Sequence, residues 1–169
     1  EEYKHLIETE QILVNKERRL LIKILEENVL SRDDIYFDTD LIDKYIRFSE
    51  KWFFPLARYQ KFITPFIFLY FKKNNEPFFN EFLITLARGG GKNGFMSTRD
   101  AFFISPLYPV MNYDVTITAN SEKQGKVSFE EVYETIQSKG LEKTYYLTKM
   151  QIIGIKHNSV FSFRTNNPK

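Results

Sequence analysis

A chain of 169 residues fits one domain of ordinary size and is long enough to bury about 70% of the surface its unfolded form exposes. Hydrophobic residues at 43% and aromatics at 17% exclude a largely disordered chain, and the absence of cysteine excludes a disulfide framework and thiolate metal sites, in keeping with a reducing setting. A net charge of +2 neither demands nor forbids a nucleic-acid partner, while the longest apolar stretch, Pro65 to Phe71, falls far short of the roughly 20 residues that cross a bilayer, so a soluble protein is expected.

From Tyr3 to Leu30, the residues Leu6, Leu13, Leu21, Ile24 and Leu25 recur near helical spacing among charges, which predicts one or two amphipathic helices. SRDDIYFDTDLIDKYIRF then combines an acidic turn with a helix start, where Asp38 or Thr39 would accept bonds from the first backbone N–H groups. Its aspartates lack the glycine and spacing of a calcium loop and read as caps and turn formers. The ring-rich stretch from Trp52 to Phe71 carries Pro55 and Pro65 and predicts a short helix, a bend and a second helix, with most rings in the core.

FLITLA, Phe82 to Ala87, is apolar and short, as a buried strand would be, and Gly94 to Leu107 reads as a helix through Phe95, Thr98, Phe102 and Phe103. Asp114 to Ala119 alternates as a second strand. Ser121 and Gln124 make a capping box for a helix with Phe129, Val132, Tyr133 and Ile136 on one face, ending near Gly140. QIIGIKHNSVFSFR predicts two strands around His157, Asn158 and Ser159. Strands alternating with helices predict an α/β domain with a largely parallel sheet. We divide the chain into a helical lead-in, residues 1–50, and an α/β part, residues 51–169.

The three glycines Gly89, Gly90 and Gly91 fall between the expected strand and the expected helix. There they permit positive φ and let an anion approach the backbone with no Cβ in the way, while the helix end adds about half a positive charge. Lys92 follows directly, within reach of the β and γ phosphates of a nucleotide. Against the general phosphate-loop pattern G-x-x-x-x-G-K-[ST], only Gly91 and Lys92 match: Leu86 replaces the first glycine and Asn93 the closing Ser or Thr. A bare connector between strand and helix is the competing reading.

The stretch Ala87-Arg88-Gly89-Gly90-Gly91-Lys92 resembles the deviant phosphate loop of bacteriophage terminase large subunits, in which a basic residue stands four positions before the lysine, as Arg88 does here. IYFDTDLIDKYIRFSEKWFFPLARYQKFI is similar to that family's lead-in, TITANSEKQGKVSFEEVYETI to its second strand and helix, and VFSFRTNNPK to the approach to its Walker B strand. The resemblance runs from about Val29 to the end of the chain. It implies a P-loop NTPase fold and an ATPase that uses ATP and Mg²⁺ to thread double-stranded DNA into a procapsid, followed by a nuclease domain.

The expected partners are the portal protein, the small terminase subunit and further copies in a ring, in the host cytoplasm. Lys92 would bind the β and γ phosphates, Arg88 would assist or sense the γ phosphate, Gly89 to Gly91 would donate N–H groups, and Gln60 would read adenine. Asn93 would replace the hydroxyl that usually meets Mg²⁺. The Walker B and catalytic carboxylates are expected beyond Lys169, so this chain reads as a piece of a longer one that does not hydrolyse ATP by itself.

Arg164 is a candidate arginine finger, although a solvated strand-end arginine is the favoured reading. Lys123, Lys126, Lys139, Lys143 and Lys149 are candidates for phosphate contact or for plain solvation. His5 and His157 are given no role. The alternatives to a packaging ATPase are another P-loop nucleic-acid translocase of helicase type, and a non-catalytic α/β binding domain.

Overall fold

The computed structural model describes residues 2–9, 11 and 14–165. Leu13 of the first helical pattern, and residues 166–169 of the tail that resembles the Walker B approach, lie outside the described residues. The chain forms two compact units, Glu1–Asp38 with Phe62–Glu81 and Thr39–Lys61 with Phe82–Lys169.

In the first unit the early helical pattern forms two helices, α1 (Glu2–Glu8) and α2 (Lys16–Leu25), and a wide π turn, Glu26–Leu30, extends α2. Asn15 opens α2 by accepting a bond from the Arg18 N–H at 3.0 Å. A short strand the sequence reading missed, β1 (Ile35–Phe37), pairs antiparallel with β2 (Leu69–Phe71), placing Tyr36 opposite Tyr70. Val29, Ile35 and Leu69 form the buried centre, ringed by Phe37, Phe66, Phe71, Phe78 and Phe79. The bend expected around the prolines is different in detail. Pro55 lies in the irregular link after α3 (Thr39–Trp52), whereas Pro65 sits inside the last turn of α4 (Arg58–Ile67), where its missing N–H leaves the Lys61 carbonyl without a helical donor two residues before the helix ends.

The second unit holds α3, the first turn of α4, α5 (Lys92–Phe103), α6 (Glu122–Ser138) and a four-stranded sheet of β3 (Val115–Ala119), β4 (Tyr145–Leu147), β5 (Gln151–Gly154) and β6 (Ser159–Thr165). The strand order is β3-β6-β5-β4. The sheet is mixed where a mainly parallel one was expected: β3 runs parallel to β6, but β5 is antiparallel to both β6 and β4. Connection length explains this. Short turns can join only antiparallel neighbours, and the parallel pair is the one bridged by a crossover that includes α6.

Alternation puts Phe161 and Phe163 of β6 on the core side, where both meet Phe129 of α6, with ring centroids 5.6 and 5.1 Å away. Tyr45 and Phe48 of α3 pack edge-on against Phe102 of α5. As the capping box predicts, the Ser121 side chain accepts from the Gln124 N–H, and α6 ends beside Gly140, whose φ is +66°.

The expected strand at Phe82 to Ala87 is absent. Those residues join no ladder among the described residues, and Leu83 is 97% exposed. Apolar β-forming residues give a segment the propensity for a strand, but only a partner with free backbone groups makes it one. Among the described residues the sheet runs from β3 to β4 without it.

Candidate functional site

α5 buries Phe95, Thr98 and Phe102, one helical face, in the core of the second unit, and its first turn at Lys92 and Asn93 lies at the surface. The glycines make the turn that leads into it. The Gly90 N–H donates to the Ala87 carbonyl at 3.0 Å, closing a four-residue turn, and Gly89 at its third position has φ +81°, as a type II turn demands. Gly91 is the residue before the helix, at φ +77°, and its carbonyl accepts the first helical bond from the Phe95 N–H at 3.1 Å. A side chain at either position would be strained.

Two neighbouring residues at the start of α4 hold two neighbouring carbonyls of this loop. The Tyr59 hydroxyl donates to the Gly90 carbonyl, and the Gln60 Nε2 donates to the Gly91 carbonyl at 3.3 Å. Gln60 is buried, and its Oε1 accepts from the Ala57 N–H at 2.8 Å. No peptide here is cis, so each carbonyl and the N–H that follows it point in opposite directions. Fixing the Gly90 and Gly91 carbonyls toward α4 therefore turns the Gly91 and Lys92 N–H groups away from it.

Those two N–H groups, with those of Asn93 and Gly94, have no hydrogen-bond partner among the described residues. They are the donors that every helix start leaves open, and they carry the positive end of the helix dipole. Arg88 and Lys92 are exposed, and neither forms an ion pair or hydrogen bond with another described residue. A loop with outward amides and two unengaged cations is chemically suited to an anion with several oxygens.

Arg88, Gly89, Gly90, Gly91, Lys92, Asn93 and Gln60 thus come together at one place. The Gln60 amide is engaged with Ala57 and Gly91, so any contact it makes with a base is in addition to, or in exchange for, those bonds. Asn93 is exposed in the first turn of α5, and its carbonyl lies 2.9 Å from Ser97 Oγ, which is also 2.7 Å from Glu131 Oε2 of α6. No group of three or more His, Asp or Glu able to hold a metal occurs among the described residues. The donor set here does not make a stand-alone magnesium site, and Asn93 supplies only a neutral amide.

Arg164 is exposed on β6, opposite Thr118 of β3. Of the candidate lysines, Lys126 pairs with Glu122 at 2.5 Å and lies over the Phe163 ring, while Lys123, Lys139, Lys143 and Lys149 are exposed. His5 lies in α1 and His157 in the turn between β5 and β6. Sequence reasoning missed Tyr59, because one more ring in an aromatic stretch reads as core. Its adjacency to Gln60 was the available signal. Among the described residues no helix is long and apolar enough to cross a membrane.

No protein-family description matches the sequence, and no curated protein matches it. Among solved structures, the crystal structure of the HK97 bacteriophage large terminase matches with a TM-score of 0.64 and 17% sequence identity, over 76% of this chain and 28% of that one. The chain thus spans little more than a quarter of the length of the protein it matches. At this identity the likeness establishes the fold: over about three quarters of its length, this chain has a terminase-like mixed α/β fold.

Proposed function

We propose that the chain is the ATP-binding part of a viral DNA-packaging motor of the terminase large-subunit type. The observation that carries this reading is the glycine loop itself: four unpartnered amides at the start of α5 flanked by the unpaired Arg88 and Lys92, within a fold like that of a large terminase. In this reading the amides of Gly91, Lys92 and Asn93 bind phosphate oxygens, Lys92 neutralises the β and γ phosphates, and Arg88 senses the γ phosphate. Magnesium would arrive on the nucleotide's own phosphates, and Asn93 would hold one of its waters. Hydrolysis, nuclease action, movement of double-stranded DNA, and assembly with portal, small subunit and further copies on a procapsid in the host cytoplasm belong to the whole protein.

A thermal-shift titration tests nucleotide binding. Saturating ATP with Mg²⁺ raises the melting temperature of the parent, by a margin equivalent to about 2.7 kcal/mol at a hundredfold excess over Kd, and the rise disappears in Lys92→Ala. If both proteins melt at the same temperature with and without ATP, the proposal fails. One observation favours a second reading, a non-catalytic domain in which the glycines merely connect: Phe82 to Ala87 is not the strand that usually precedes a phosphate loop. That flat titration is its expected result. Another P-loop translocase would bind ATP equally, and is separated from a packaging motor by a requirement for procapsid and portal in its DNA-stimulated turnover.

A further inference from the structure

The loop's carbonyls are held by two residues that lie outside the loop, Tyr59 and Gln60. We infer that Tyr59 is a positioning residue of the phosphate loop: its hydroxyl, by holding the Gly90 carbonyl, keeps the Gly91 amide aimed outward for an oxyanion. This rests on the reading of the loop as a phosphate site. Tyr59 is half-buried, and the hydroxyl that meets Gly90 also sits 3.2 Å from where a Cβ on Gly91 would be. The phenol is therefore packed against the very peptide it bonds. A three-residue glycine segment has the greatest freedom to flip its peptides, and a peptide flip at Gly90–Gly91 would present a carbonyl, and not an amide, to the phosphate.

Gln60 makes the equivalent bond one residue on, but the Gly91 carbonyl it holds is also fixed by the first turn of α5, through the Phe95 N–H. The Gly90 carbonyl has Tyr59 as its hydrogen-bond donor and no helical bond. Removing the hydroxyl alone thus frees the peptide that the helix does not constrain.

The test compares the parent, Tyr59→Phe and Lys92→Ala by calorimetric titration with two probes, inorganic tripolyphosphate and adenosine. Amide exchange of Gly91 is followed without ligand. Tyr59→Phe keeps the ring and its packing, and the melting temperature checks that it folds as the parent does. The expected result is tripolyphosphate affinity lowered about two- to tenfold, adenosine affinity unchanged, and faster exchange at Gly91. Equal tripolyphosphate affinity in parent and Tyr59→Phe, with Lys92→Ala impaired, overturns the role of Tyr59 while leaving the nucleotide reading intact. A loss confined to adenosine also overturns it, since the ring would then meet the base. If the parent itself does not bind tripolyphosphate, the phosphate site is refuted and this inference falls with it.

Discussion

Replacing Gly154 by alanine should unfold the second unit at markedly lower denaturant. A Cβ built on Gly154 of β5 would lie 1.8 Å from the Ile104 carbonyl oxygen and 2.9 Å from its carbon, at the end of α5. Side-chain rotation cannot relieve this, because both partners are backbone. Real Cβ atoms essentially never approach closer than 3.0 Å, so the strand and the end of α5 must part by about 1.2 Å. Gly154 is also locked in register, opposite Ser159 on one side and Tyr145 on the other, so the shift strains the β4–β5–β6 ladder.

Overpacking typically costs about 1–3 kcal/mol, and a backbone-to-backbone collision with no flexible atom belongs at or above the top of that range. Urea unfolding followed by circular dichroism reads the change directly as a lower midpoint. Gly125→Ala is the control. Its Cβ would meet only ordinary contacts of 3.6–3.7 Å inside α6, and the same substitution there should stabilise by up to about 1 kcal/mol through helix propensity. Should Gly154→Ala unfold at the parental midpoint, the packing of β5 under α5 described above is incorrect.

Two further outcomes follow from single side chains. Ser121→Ala removes the cap of α6, and because its bond to the Gln124 N–H is long, at 3.3 Å, the loss should lie near the low end of the usual range, about 0.5–1 kcal/mol in the same urea assay. Asp100 is fully buried in α5, with Oδ1 held by Arg99 at 2.8 Å and Oδ2 without a hydrogen-bond partner among the described residues, and burial raises its pKa above the ordinary 3.8 despite Arg99. The folded state therefore keeps a proton that the unfolded state has released. Its contribution to stability is full below pH 3.8 and is lost as pH rises through the folded value. Measured against Asp100→Asn in urea at a series of pH values, the parent should lose stability as pH increases from about 4, and a pH-independent difference between the two would contradict this assignment.

What could be read from the sequence was whatever a short segment decides for itself. The start of α6 at Ser121, its end at Gly140 and the turn before Ser159 each depend on residues within four or five positions, and each appears where the local chemistry places it. β1, β4 and the irregular course of residues 82–87 depend instead on distant partners. IYF at residues 35–37 looks like the end of an acidic turn until Leu69–Phe71 supplies its ladder, and FLITLA looks like a strand although no ladder receives it. Hydrogen bonding between segments far apart in the chain decides both cases, in opposite directions.

The site divides along the same line. Positive φ at Gly89 and Gly91 is a local requirement, legible as soon as three glycines precede a helix. Tyr59 and Gln60 lie 31 residues away from the carbonyls they bind, and only the folded chain brings them there. Yet those two bonds change what the glycines mean. A loop of free glycines would lose much conformational freedom on meeting an anion, and that loss would weaken binding. Here folding of the second unit has already removed part of that freedom, through two donors on one helical turn. The flexibility that lets the backbone turn so sharply is thus offset by an anchor outside the pattern G-x-x-x-x-G-K-[ST], and on the proposed reading of the loop as a phosphate site, loss of that anchor should weaken binding by less than loss of Lys92 does.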